Sequence, residues 1–399
     1  MTPLLLLSSA LAQEVLMLRA DEVHTVSGEV ITDGAVLVRD GRIEAVGLAT
    51  QVATPEGARV ITGAVLTPGL IDAWTTAGLT GPYNNAGDQD HAERDEPVQP
   101  ELRALDGYHA YDELVGWIRG FGVTTVQVGP SPGQPVSGRT LITHTTPAPI
   151  DQIAMVPDAA VIFSLGESAK WRFGDDGAAS RMGSAALIRQ SLAAAAEYQQ
   201  RRRLRGADRA TLDLGQEALV DVLAGRRKAV FHAHRADDIH TALRIGQEFG
   251  LELVIAGAAE GWLVADELAA AGVPVIIGPV MSRSWRAGEQ RNSNFENAAI
   301  LADAGVTVAF MSGYEGYVPK VRVVLWEAAI AAANGLGTEA TLSALTLDAA
   351  QILGISEQTG SIEAGKVADL VMFDGDPFEY SSHACLVLVA GELVSEECR

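Results

Sequence analysis

Cysteine is nearly absent: Cys385 and Cys398 are the only two in 399 residues. Two thiols this close make neither a disulfide framework nor, by themselves, a zinc site. They could pair in an oxidising compartment, and the sequence leaves that open. Long apolar runs are also missing. No stretch reaches the ~20 apolar residues that cross a bilayer, so no membrane span is expected. Positive charge is scarce, with 29 Lys and Arg against 51 Asp and Glu, a net of −22. Such a field excludes a dominant basic surface and, with it, a nucleic-acid partner. The one basic run, Arg201–Arg205, reads as the solvated end of a helix. What the chain has in quantity is apolar residues, 48% of the total, ample for a large core.

Residues Met1–Ala12, MTPLLLLSSALA, carry a leucine run and then Ala10-Leu11-Ala12, the A-x-A pattern of a secretory signal. Export to the periplasm or beyond is the expectation. The segment has no Lys or Arg and is shorter than the usual ~15–30 residues; a false signal would leave the protein cytoplasmic.

After this start, short β segments alternate with turns. Glu29-Val30-Ile31 precedes Asp33-Gly34, Ala35–Val38 precedes Asp40-Gly41, and Arg42–Val46 follows, the punctuation of hairpins. The far end repeats the style with Ala368–Phe373, Cys385–Val389 and Gly391–Val394. Two terminal β pieces around a long middle predict one small β-sandwich from both ends, residues 13–64 with 359–399. Between them, strands are expected at Val123–Val128, Ala159–Ser164, Ala229–His232, Leu251–Ala256, Val273–Ile277 and Val306–Met311. Helices are expected at Gly183–Arg205, Arg235–Gly250, Gly261–Ala271, Val321–Asn334 and Glu339–Leu353. Repeated βα units of this length predict an α/β fold, a (β/α)8 TIM-like barrel over residues 65–358, with a doubly wound open sheet as the alternative. The loop Tyr83–Pro100 carries DQDHAERDEP and reads as a solvated charged loop over the barrel mouth.

The chain is organised around Val65–Gly78, VLTPGLIDAWTTAG, an apolar strand that delivers polar residues to the mouth of a parallel barrel. This stretch resembles the strand-1 signature of the amidohydrolase superfamily, PGLID-x-H-x-H. Pro68–Asp72 is intact, while the two histidine positions hold Trp74 and Thr76. Gly360–Leu370 is similar to the GSIEPGKDADLV segment of the same superfamily. Asp40–Ile43, His232–Ile239, Leu165–Gly174, Ala258–Gly261 with Ala265–Leu268, and Gly272–Pro279 extend the resemblance, which is closest to the imidazolonepropionase-like members.

The resemblance implies a hydrolase of non-peptide or dipeptide-like C–N bonds, in which four histidines and an aspartate hold zinc or a similar ion that activates water. Carried across, the strand-5 histidine is His232, with His234 two residues on. The strand-6 histidine position falls on Gly257 and the strand-8 aspartate position on Gly313. An indole nitrogen only donates hydrogen bonds, a threonine hydroxyl is a poor substitute for imidazole, and glycine offers no side chain. A catalytic zinc ordinarily takes about three protein ligands; His232 alone is not a site. The expectation is a catalytically degenerate member, with Trp74 filling the vacant volume. It would serve as a binding or assembly subunit for a small amide-type ligand, a second copy of itself or an active paralogue.

The rival is an active exported hydrolase with a relocated site built from His232, His234, Glu167, Lys170 and Glu260. His232 and His234 are expected on opposite faces of their strand, so that only one faces the axis. In relatives a carboxylated lysine near Lys170 bridges two metals; here a Glu167–Lys170 surface pair is expected. Glu260 is expected as a helix N-terminal carboxylate. Two motif matches are dismissed. Gly360–Lys366 fits G-x-x-x-x-G-K but is followed by Val367 and a strand, and Gly129–Gly133 fits G-x-S-x-G with prolines on both sides of Ser131.

Overall fold

The computed structural model describes residues 15–83, 85–170, 177–281, 288–314 and 324–398. The Met1–Ala12 segment, residues 171–174 of the Leu165–Gly174 match and the first three residues of the Val321–Asn334 helix lie outside them.

Both ends of the chain contribute to one sheet. β1 (Leu16–Val23), β2 (Ile31–Arg39), β3 (Arg42–Leu48) and β4 (Arg59–Pro68) come from the start. The strand after them, β5 (Leu70–Thr75), belongs elsewhere. The Asp40-Gly41 turn joins β2 to β3, as its left-handed backbone requires, whereas Asp33-Gly34 lies inside β2.

The middle of the chain supplies β6 (Val123–Val128), β7 (Val136–Arg139), β8 (Leu141–His144), β9 (Ala154–Val156) and β10 (Ala160–Ser164). It continues with β11 (Lys228–Ala233), β12 (Leu253–Gly257), β13 (Val275–Ile277) and β14 (Val308–Phe310). The end adds β15 (Leu370–Phe373), β16 (Ala384–Val389) and β17 (Glu392–Ser395). The terminal strands form a single seven-stranded sheet in the order β17-β16-β15-β4-β1-β2-β3. A disulfide joins Cys385 to Cys398 across its edge.

The α/β alternation of the middle is present, but among the described residues eight parallel strands in one closed ring are not. β10 to β14 form a parallel block, and β5 pairs parallel with β6 in a separate sheet. At the third position the chain runs the other way: β7 pairs antiparallel with β10, and β8 antiparallel with β6. The connection explains this. A parallel return needs a crossover of about a dozen residues, and only residues 129–135 separate β6 from β7. Thr140, between β7 and β8, ties the two sheets. Its hydroxyl accepts from Ala160 N at 3.0 Å and donates to Gln127 Oε1 at 3.3 Å. On the other side the sheets meet at a parallel bridge between Thr75 and Gly313.

The strand period of two divides the core. Ile162, Val230, Val254, Ile276 and Ala309 point inward with Trp74, closed below by Ala349, Ala350 and Ile352 of helix Leu347–Leu353. Val161, Phe163, Phe231, Ile255 and Phe310 point outward under the helices. Gly69 is the hinge between β4 and β5. A Cβ there would lie 2.1 Å from Thr124 Oγ1, so only glycine lets the chain turn from the terminal sheet into the inner wall.

Candidate functional site

The parallel registers bring Ser164, His232, Gly257, Ile277 and Phe310 together at the C-terminal strand ends, where barrel chemistry is carried. His232 and His234 do not diverge. Residues two apart on a strand share a face, and the two rings meet edge to face with centroids 4.7 Å apart. Both are buried. Burial, and then the neighbouring His234, hold the His232 imidazole well below its ordinary pKa, and burial lowers His234 to about 4. Both rings are therefore neutral at ordinary pH.

His232 has no free nitrogen. The Tyr314 hydroxyl lies 2.9 Å from Nε2, and Ser168 Oγ lies 3.4 Å from Nδ1. Ser168 in turn donates to Leu165 O at 3.3 Å. The hydrogen-bond pattern assigns the proton to Nδ1 and makes Tyr314 the donor to Nε2. Burial, with a contribution from the Glu289 charge, raises the Tyr314 pKa and keeps its hydroxyl protonated. His234 differs: Gln290 Nε2 faces its Nε2 at 3.3 Å, while its buried Nδ1 has no partner.

The other inherited ligand positions are equally specific. Trp74 is fully buried, packed on His232 at 6.0 Å and on Tyr314 at 5.7 Å between centroids, and its Nε1 has no partner. Thr76 Oγ1 faces Thr80 Oγ1 at 3.3 Å. Gly257 has a φ of 93°, and a Cβ there would lie 2.9 Å from His234 Cε1. The His234 ring thus occupies the space a strand-6 side chain would need. Gly313 also has a left-handed φ, 91°, but faces open space.

Below the mouth, Asp72 accepts from Ser312 N at 3.0 Å and from the Ser312 hydroxyl. Burial pushes its pKa up to about 7 against those hydrogen bonds.

The remaining sequence candidates sit at the rim. Glu167 does not pair with Lys170; its carboxylate lies 4.0 Å from Arg181. Arg181 sits at the start of a long helix (Arg181–Arg202) and is ordered on buried Asp238, 2.9 Å away, which places its guanidinium beside the exposed Glu167. Glu260 is a helix-terminal carboxylate, although not at its own helix. It accepts from Ala236 N at 2.9 Å, the first residue of helix Ala236–Phe249, and from Asn292 Nδ2 at 2.7 Å. These bonds engage both of its carboxylate oxygens.

Sequence reasoning missed Tyr314, Gln290 and Glu289. Glu289 accepts from Arg181 Nη2 at 2.8 Å and from the Glu167 amide, and burial pushes its pKa up to about 7. No motif marks these three, because their roles arise from loops that converge only in the fold.

The donor set does not fit a catalytic divalent ion. Of the five inherited positions only His232 offers a coordinating nitrogen, and both of its ring nitrogens are engaged. Among the described residues the one tight group of three possible ligands is Asp374, Cys385 and Cys398, far in sequence from this site, and its sulfurs are joined in the disulfide.

The fold and the position of this cluster define a mixed α/β protein with its candidate site at the C-terminal ends of the parallel strands. Residues 183–394 match the model of the amidohydrolase family, and an amidohydrolase from Thermotoga maritima superposes with a TM-score of 0.89 at 30% identity, covering 96% of this chain and 100% of that one. The chain belongs to the amidohydrolase family. Among curated proteins, amidohydrolase tasK of Hapsidospora irregularis is 25% identical over 389 residues, 90% of this chain but 39% of tasK. The imidazolonepropionase of Thermoplasma volcanium is 29% identical over 94 residues, 22% of this chain and 23% of that protein. The chain thus spans well under half the length of the curated relatives it matches.

Proposed function

We propose that this protein is a catalytically degenerate amidohydrolase, a barrel that has given up metal-dependent hydrolysis and serves as a binding or assembly subunit. The observation that carries the reading is the closure of His232. Its two nitrogens are held by Tyr314 and Ser168, so the one imidazole left at an inherited position has its only lone pair engaged by the Tyr314 hydroxyl. The blocked volume at Gly257 and the buried indole of Trp74 act in the same direction.

The test is metal content. Protein purified without a histidine tag or chelator, then offered zinc and manganese, is expected to retain far less than one ion per chain and to leave amides and cyclic ureides intact. Near-stoichiometric metal, lost in His232→Ala together with amide turnover, would overturn the reading in favour of an active site around His232. The Tyr314→Phe variant sharpens the result. Freeing Nε2 is expected to raise metal uptake slightly, if at all, since no second and third ligand stand ready.

A further inference from the structure

Two thiols by themselves are not a zinc site, but the terminal sheet adds a third ligand to Cys385 and Cys398. β15 ends at Phe373 and β16 begins at Ala384, so the strand ends bring Asp374 and His383 together. Asp374 N donates to His383 O at 3.1 Å. The Asp374 carboxylate accepts from His383 N at 2.7 Å, and its second oxygen lies 3.0 Å from His383 Nδ1. β17 runs back along β16, with Val387 opposite Ser395, and the chain beyond it carries Cys398 to Cys385. Asp374, Cys385 and Cys398 each present one possible ligand atom, and the three atoms lie within 4.8 Å of one another.

Two sulfurs and a carboxylate oxygen form a donor set that suits zinc, whereas calcium and magnesium take oxygen alone. The hydrogen bond from His383 N, above all, holds the Asp374 pKa below its ordinary 3.8. His383 also orients the carboxylate, as outer partners of metal ligands do, and the oxygens keep lone pairs to spare. Asp374 and Cys398 are exposed and Cys385 is half-buried, so an ion can arrive from solvent. Zinc–sulfur bonds of about 2.3 Å hold two sulfurs further apart than a disulfide does. Cys398 lies three residues beyond the end of β17, outside the strand ladder, and can withdraw that far.

We propose that reduction of the Cys385–Cys398 disulfide uncovers a zinc site built from both thiolates and Asp374, with water in the fourth position. A dithiol gives two electrons and two protons to the disulfide, leaving two thiols and becoming a disulfide itself. Zinc then displaces the thiol protons. The same sulfurs cannot serve both bonds, so metal and disulfide exclude each other. The sheet edge is clasped by a covalent bond in an oxidising compartment and by an ion in a reducing one.

Zinc is titrated into the full-length protein as isolated, with the disulfide closed, and again after reduction by a dithiol that is removed under argon. The reduced protein is expected to take up one ion per chain and release protons; the closed form is expected to take up none. Cys398→Ser and Cys385→Ser should each abolish the uptake, and Asp374→Asn should weaken it at least ten-fold. Cys398 is exposed and outside the strands, so its substitution leaves the fold intact. Bound zinc should also slow re-closure of the disulfide by an oxidised dithiol at least ten-fold. No uptake after reduction, uptake that survives Cys398→Ser, or full affinity in Asp374→Asn would overturn the proposal. Uptake kept in Cys398→Ser but lost in His232→Ala would place the ion at the histidine pair, and would overturn the degenerate reading as well.

Discussion

At the scale of single residues, the site is decided by who occupies a given few ångströms. Gly257 shows it most clearly. Restoring the family's ligand there by Gly257→His would force a side chain into the His234 ring, with the Cβ 2.9 Å from Cε1, on a backbone whose φ of 93° resists any side chain. The variant is expected to lose on the order of 2 kcal/mol of stability and to gain no metal. Adding His234→Gly should recover part of that loss, which denaturant midpoints of the two variants would measure. Equal midpoints for Gly257→His and the wild type would refute the steric account. His232 itself was visible in the sequence as the retained position of a motif. Its closure was not, because Tyr314 and Ser168 stand 82 and 64 residues away and no local pattern announces either contact.

At the scale of elements, the βα rhythm was legible wherever a strand and its helix follow each other closely. Val123–Val128 is the strand expected, and Arg181–Arg202 lies within two residues of its expected start. The reversed segment at Val136–His144 was not anticipated. Its strands are short and interrupted at Thr140, and it carries Gly138 in a left-handed conformation with a φ of 130°, so its apolar alternation is too brief to register. Yet that interruption joins the two sheets. Thr140→Val preserves shape but leaves Ala160 N without its hydroxyl acceptor and Gln127 Oε1 without its donor. A loss of about 1–3 kcal/mol is expected, read as a lower urea midpoint. An unchanged midpoint would mean that the junction rests on packing alone.

At the scale of the molecule, the question is what fastens the terminal sheet to the barrel. One tie is a buried ion pair. His144 on β8 lies 3.3 Å from Asp369, just before β15, and Asp369 also accepts from Thr359 Oγ1 and Ala390 N, each at 2.8 Å. The sequence singled out the segment around Asp369 through its family resemblance, but a partner 225 residues earlier is fixed only by the fold.

Burial alone would lower the His144 pKa; the charge and hydrogen bond of Asp369 outweigh it and leave the value above the ordinary 6.5. Burial would likewise raise Asp369, and His144 with the other donors more than reverses that, leaving it below the ordinary 3.8. The histidine contribution is therefore complete below pH 6.5 and lost as pH rises through the raised value. The aspartate contribution is complete above pH 3.8 and lost only as pH falls through the lowered one. Between those limits the tie is at full strength. His144→Gln should cost on the order of 2–4 kcal/mol near about pH 5, because it strips a buried carboxylate of its counter-charge. As pH rises through the raised value the wild-type imidazole loses its own charge, and the gap should shrink. Thermal unfolding of both proteins across that range tests the assignment. A gap independent of pH would mean that His144 holds the sheet through its shape and hydrogen bond, and that its charge contributes nothing to the joint.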